Sequence, residues 1–392
     1  MEWTATDLLS TVWIRRTKMS NYGVFSLNDT TLKLRKIYTS HGYIPYKMGR
    51  FEEYDFYVAN KDFLTCDSII TFNDSRGRLM ALKPDVTLSI VKGYRDSDEY
   101  IHRVCYNESV YRISSATKDF KEMMQSGVEC IGRLSVLEIA EIIELAAKSL
   151  DTITENYAIE ISHMGLVDSI LSEVCGDESF RREALEYIGA KCLHDLKALC
   201  EKNGVTEVLC EKLCALIEVF GERNDVLRRL TSVCTTDAQL TVLSELARLS
   251  EILDGLPCSE YVAFDFSVIN DMRYYNGFVF NGYVEGINEA ILLGGQYDGL
   301  MKKFGKKSGA VGFAIYPDLI EQLNYRHTES SYDFDVLLVY PEGIDIQRLL
   351  DKARTLRLCG KSVSMQRSEC NALKYRSVIY LNEEGEEIED DC

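Results

Sequence analysis

The chain has 392 residues, 46% hydrophobic and 27% charged, which is enough apolar content for a large core and for two or three domains. With 62 acidic against 44 basic residues the net charge is −18, the wrong sign for a nucleic-acid backbone, whose binding requires a basic surface. No apolar run approaches the roughly 20 residues that span a bilayer. The opening "MEWTATDLLSTVWIRRTKMS" also lacks the basic-then-apolar order of a secretory signal, so a cytoplasmic protein with no nucleic-acid or membrane partner is expected.

Residues 1 to about 150 mix strand-like runs ("DSIITFND", "GRLMALKP", "IHRVCYNESVYRI") with helical ones ("TTLKLRKIYTSHGY", "SVLEIAEIIELAAKSL"). That mixture predicts an α+β region of antiparallel strands with packed helices. From about 165 to 255, apolar residues recur at three and four spacing with glycine stops, as in "LVDSILSEVC", "VLCEKLCALIEVFG" and "LTVLSELARLSEIL", which predicts an inserted helical block. Strands return at "YVAFDFSV", "YYNGFVFNGYVEG" and "EAILLGGQYDGL", so the sheet is completed across the insertion in a core that runs to about residue 325. From 331 to 392, a strand, the helix "IDIQRLLDKARTLRLCG" and two further strands predict a small β-α-β unit. It ends in the acid-rich "NEEGEEIEDDC", a solvated end. The 13 cysteines include no C-x-x-C pair. Cys210 and Cys214, one helical turn apart, read as core thiols, and neither a metal nor a cofactor is expected.

Four stretches carry residues suited to chemistry. "LKPDVTLSI" sets Asp85 and Thr87 between a strand and a helix, as a site or as an ordinary helix cap. "QSGVECIG" places Gln125 and Glu129 on one strand face with Gly127 between them, either lining a pocket or solvated at a surface. "VYRISSATKDFKEM" puts Arg112 at the end of a strand entering a polar hairpin. In "DMRYYNGFVF", Tyr274 and Tyr275 meet a strand, where alternation would send one ring into the core and the other hydroxyl toward a cavity. "LLGGQYDGL" lacks the spacing of a phosphate loop, although its paired glycines allow close backbone approach.

In order and spacing, "GRLMALKPDVT", "SVYR…MMQSGVECIG", "DMRYYNGFVF" and "GGQYDGL…AVGFAI" resemble the catalytic core of class II histidyl-tRNA synthetases over about residues 20 to 325. The resemblance implies that fold. It also implies a histidine pocket made of Asp85 for the ammonium group, Thr87, Arg112, Gln125, Glu129, Tyr274 and Tyr275. A cationic amine needs carboxylates, and an imidazole needs hydroxyl and carboxyl partners. The cations that such an enzyme sets on ATP are missing. Asn270 and Leu319 stand where arginines are expected, Ser114 where a glutamate is, Gln296 replaces the arginine of "GGRYDG", and Gly49 replaces the first motif's proline.

A pocket that keeps its amino-acid groups and loses its ATP cations is similar to the regulatory subunits of ATP phosphoribosyltransferase, synthetase paralogues that charge no tRNA. The Ser-His-x-Gly turn of "IEISHMGLVDSIL" resembles that family too, although His163 by itself reads as a turn or core histidine. The C-terminal unit resembles a shortened anticodon-binding domain. The resemblance implies a non-enzymatic chain that activates a short catalytic subunit, joined with it in a hetero-octamer. That subunit couples ATP to phosphoribosyl pyrophosphate in the first step of histidine synthesis, and histidine acts as feedback effector. It also implies a homodimer through residues 30 to 60. The alternative is a synthetase-like aminoacyl-tRNA ligase.

Overall fold

The computed structural model describes residues 27–64, 69–97, 100–113, 118–269, 274–320, 332–369 and 374–388; Ser114, Asn270 and the last four residues of the acidic tail lie outside them. Helix α1 (Leu27–Ser40) leads through β1 (Ile44–Pro45), β2 (Phe51–Glu53), α2 (Tyr54–Val58), β3 (Thr71–Asn73), β4 (Leu79–Leu82) and α3 (Thr87–Gly93) to a long hairpin, β5 (His102–Ile113) and β6 (Phe120–Gly132). Helix α4 (Val136–Asp151) and β7 (Tyr157–His163) follow. Next come six helices: α5 (Met164–Val174), α6 (Glu178–Gly189), α7 (Leu193–Lys202), α8 (Glu207–Glu218), α9 (Arg223–Leu230) and α10 (Asp237–Asp254), with the short β8 (Phe220–Gly221) among them. The chain returns to the sheet through β9 (Val262–Asp265), β10 (Phe278–Val284), β11 (Leu292–Gln296), α11 (Asp298–Lys303) and β12 (Gly309–Ile315).

Nine strands form one sheet in the order β1-β5-β6-β12-β11-β10-β7-β9-β8. Its pairs are antiparallel except β1 with β5 and β7 with β9. The helical block thus separates β7 from β10, its direct neighbour in the sheet. Period-two alternation assigns the two faces. Val128, Cys130, Ile159, Ile161, Phe278, Phe280 and Phe313 join a core under α4, whereas Gln125, Gly127 and Glu129 face the opposite side.

Helix α4 starts at a capping box in which Leu137 N–H donates to Ser135 Oγ and Ser135 N–H to Glu138 Oε2 (2.7 Å). Its Ile139, Ile142, Ile143, Ala146 and Leu150 are buried at helical spacing. Each such isoleucine or leucine contributes about 1.5–3 kcal/mol by burial, so Ile143→Ala should cost about 2–5 kcal/mol. Buried Arg223 ties the helical block to the sheet: its guanidinium donates to Ser259 O (2.6 Å) and Val262 O (2.7 Å) and reaches the Asp254 carboxylate. Cys210 and Cys214 lie with sulfurs 4.0 Å apart in α8, and burial pushes the Cys214 thiol up to about 12. Among the described residues no group of three or more metal-ligating side chains forms a metal site, and no helix is long and apolar enough to cross a membrane.

The chain divides into two compact units, Met1–Asn324 and Tyr325–Cys392. In the second, β13 (Phe334–Val339) lies between β14 (Val363–Gln366) and β15 (Tyr375–Leu381), both parallel to it, and β16 (Glu387–Ile388) completes the sheet. Helix α12 (Ile346–Leu358), capped by Asp345, sets Leu349 and Ala353 on Val336 and Leu338.

Candidate functional site

Strand β6 builds the floor of a cavity on the face away from α4. Gln125 and Glu129, 3% and 2% exposed, are buried there rather than solvated. Between them Gly127 has to stay bare: a Cβ would overlap Phe313 O and lie 2.6 Å from the Tyr106 hydroxyl, which is how the Tyr106 ring comes to rest above the floor. Gly312, opposite Glu129 in the β6–β12 register, is bare for a similar reason, since a Cβ would occupy the space of the Glu129 carboxylate.

Glu129 accepts hydrogen bonds from Thr87 Oγ1 and Tyr297 OH, both at 2.6 Å. Burial raises its carboxyl to about 8; those two bonds oppose the shift and nearby Asp85 adds to it. Asp85, just before α3, accepts through Oδ1 from Leu88 N–H (2.8 Å) in the helix's first turn and also lines the cavity. Burial lifts Asp85 above the usual carboxylate range, while the Leu88 amide and the Arg112 charge work against that rise. Arg112 donates from Nε to Pro84 O (3.2 Å) and supplies the cavity's guanidinium. Just outside, fully buried Lys83 pairs with Glu108 at 2.8 Å.

Tyr274 and Tyr275 depart from the expected alternation. They precede β10, which starts only at Phe278, so no pleat separates their rings, and both rings line the cavity with centroids 4.7 Å apart. The turn carrying them is fixed on both sides, by Asn276 N–H to Gln296 O (3.1 Å) and by Met164 N–H to Gly277 O (2.8 Å). The Tyr275 ring packs through its Cδ1 and Cε1 side against bare Gly295.

The structure therefore brings Asp85, Thr87, Arg112, Gln125, Glu129, Tyr274 and Tyr275 around one cavity of about 140 Å³. A void of about 150 Å³ accommodates a benzene ring, so the size suits an amino acid with a small ring. Tyr106, Tyr297 and Tyr316 also line it and were not singled out from the sequence. Gln125 Nε2 donates to Tyr316 OH (3.1 Å). Tyr297 lies inside the quoted "GGQYDGL" and Tyr316 directly follows "GFAI", but only strand pairing sets them beside β6. Among the described lining residues, one guanidinium, two buried carboxyls and several tyrosine hydroxyls suit a zwitterion with a polar side chain. Leu319 packs against the core, and Gln296 donates to Asp298 Oδ2 (2.8 Å), so neither position offers a cation to a phosphate. His163, at the end of β7, is buried on the opposite, helix-covered face.

Residues 26–320 match the family model of histidyl-tRNA synthetase. The ATP phosphoribosyltransferase regulatory subunit of Clostridium kluyveri is 30% identical over 337 residues, 83% of this chain and 85% of that one. A crystal structure described as an ATP phosphoribosyltransferase regulatory subunit/histidyl-tRNA synthetase from Bacillus halodurans shares the fold, with a TM-score of 0.76 at 24% identity over 94% of this chain and 99% of that one. A chain of an ATP phosphoribosyltransferase complex from Thermotoga maritima superposes with a TM-score of 0.58 at 21% identity, over 74% of this chain and 97% of that one. The chain belongs to the family of ATP phosphoribosyltransferase regulatory subunits, non-catalytic proteins built on the histidyl-tRNA synthetase fold.

Proposed function

We propose that the cavity is a receptor for free histidine, through which this cytoplasmic regulatory subunit conveys feedback inhibition to a short-form catalytic subunit. The observation that carries this reading is the asymmetry of retained charge. Arg112, Asp85 and Glu129 remain around an amino-acid-sized cavity, while Leu319 is packed into the core where a triphosphate would require a cation. Arg112 suits the ligand's carboxylate, Asp85 and Glu129 its ammonium group, and Gln125 with the tyrosines its imidazole.

The Thermotoga maritima chain, by its description part of an ATP phosphoribosyltransferase complex, supports a catalytic-subunit partner here. The hetero-octamer built on regulatory dimers is part of the same proposal. The dimer reading draws support from the apolar Leu32, Ile44, Phe51 and Phe72, all exposed on α1, β1, β2 and β3, with the last two rings in edge contact at 5.6 Å. The test is calorimetric titration of the chain with L-histidine, followed by co-purification with the catalytic subunit and an activity assay against histidine. Saturable binding without ATP and histidine-sensitive activity of the complex are expected. A chain that activates its partner and takes up no histidine, alone or in the complex, would place the effector site elsewhere.

A further inference from the structure

His163 is used by none of the pocket chemistry, yet its surroundings are tightly specified. Its backbone pairs with Phe278 in the β7–β10 register, and its ring meets the Phe278 ring edge-on with centroids 4.7 Å apart. Gly165 is bare beneath the ring: a Cβ there would come to 3.0 Å from His163 Cε1, 3.2 Å from Nδ1 and 3.6 Å from Asn276 O. The next residue along the chain, Met164, holds Gly277 O through its N–H. The imidazole therefore lies close to the turn that carries Tyr275, with Gly165 between them and Met164 hydrogen-bonded to that turn. Its two nitrogens are incompletely satisfied. Among the described residues buried Nδ1 has no hydrogen-bond partner, and Nε2 lies 3.7 Å from Glu245 Oε2 of α10, within ion-pair reach but longer than a hydrogen bond. A half-made contact between the sheet and the helical block is the kind of element that a shift of a few tenths of an ångström at the turn would make or break.

We propose that His163 is a positioning residue that couples the Tyr275 turn to α10, its Nε2 closing on Glu245 when the cavity is occupied. The helical block thereby reports occupancy of a site on the other face of the sheet. The ligand in this proposal is the histidine of the reading above, and the test separates the two.

Full-length wild type, Glu245→Ala, His163→Gln and His163→Leu are compared by amide hydrogen exchange with and without L-histidine, alongside calorimetric titration. In wild type, histidine should slow exchange in α10 around Glu245 as well as in β6. In Glu245→Ala, which removes the acceptor at a half-exposed helical position that the fold should tolerate, the response of α10 should vanish while that of β6 persists, and histidine affinity should fall about five- to tenfold. His163→Gln, which keeps a donor near Nε2, should retain much of the α10 response, and His163→Leu should lose it. A structural role alone would not produce binding with the distant response removed. Exchange in α10 that ignores histidine in wild type, or a response that survives in Glu245→Ala, overturns the coupling. If wild type binds no histidine, the pocket reading fails, and the ligand-free arm decides for His163. There the Met164 and Asn276 amides should exchange faster in Glu245→Ala, and unchanged rates overturn the coupling.

Discussion

Glu129→Gln should make the empty protein more stable and its pocket worse. Glu129 is 2% exposed, no cation among the described residues is bonded to it, and its carboxyl is raised from 4.5 to about 8. A folded-state value above the unfolded one means that the folded protein holds this proton more tightly. The associated stability is fully present below about pH 4.5 and is lost as pH rises through about 8. At about 1.4 kcal/mol per unit, the buried carboxyl lowers stability by about 3 kcal/mol at pH 7 and by nearly 5 at pH 9, relative to acid. Glutamine has nearly the same shape and never ionises. It can still meet Thr87 and Tyr297, because both hydroxyls accept as well as donate. The variant should therefore unfold at higher urea than wild type above neutrality, with the difference growing from pH 5 to pH 8.

Histidine binding should move the other way. Loss of a charge-assisted contact with the ammonium group is worth about 1.5–3 kcal/mol, roughly ten- to 150-fold in affinity. The ammonium group should also draw the proton off Glu129, so binding near pH 7 should release protons, measurable by calorimetry in buffers of different ionisation enthalpy. Affinity should rise with pH up to about 8 and then level off. Urea unfolding at several pH values, with the ligand-free chain, checks the first half. Wild-type stability that does not fall relative to Glu129→Gln between pH 5 and 8 would refute the argument that burial dominates this carboxyl.

Gly312→Ala should abolish histidine binding and lower the melting temperature, because its Cβ would displace the Glu129 carboxylate; circular dichroism and titration report the two effects. Lys83→Ala leaves Glu108 unpaired beside the pocket, at a side chain 14% exposed; denaturant unfolding should show a loss of about 3 kcal/mol, at the lower end of the range for breaking a buried pair. With ATP, magnesium and histidine, pyrophosphate exchange should stay at background, since Leu319 offers no charge to the transferring phosphate; measurable exchange would contradict the non-catalytic assignment. Tyr275→Phe should weaken histidine binding by about 0.5–1.5 kcal/mol with little change in unfolding, if its hydroxyl meets the ligand as the cavity geometry implies.

Local pattern was enough for the elements, whereas the pocket was implied only by the family resemblance. Spacing of three and four marks the helical block and α4, and period-two alternation puts Gln125, Gly127 and Glu129 on one face of β6. Each of these depends on neighbours within a few residues. Which face is buried, and by what, depends on partners distant in the chain, so the same alternation could not separate a solvated strand from a pocket floor. That was decided by β12, about 180 residues later, whose Gly312 leaves room for Glu129 and whose strand leads to Tyr316 beside Gln125.

The tyrosine pair shows the same division. Its sequence announces aromatic hydroxyls, but the strand rule separates the rings only if the strand includes them. The clamp between Gln296 and Met164 ends the strand at Phe278 and turns both rings into the cavity. Residue types and short spacings thus determined the chemistry on offer, whereas non-local strand pairing and the desolvation it imposes decided which groups meet and how their protons are held.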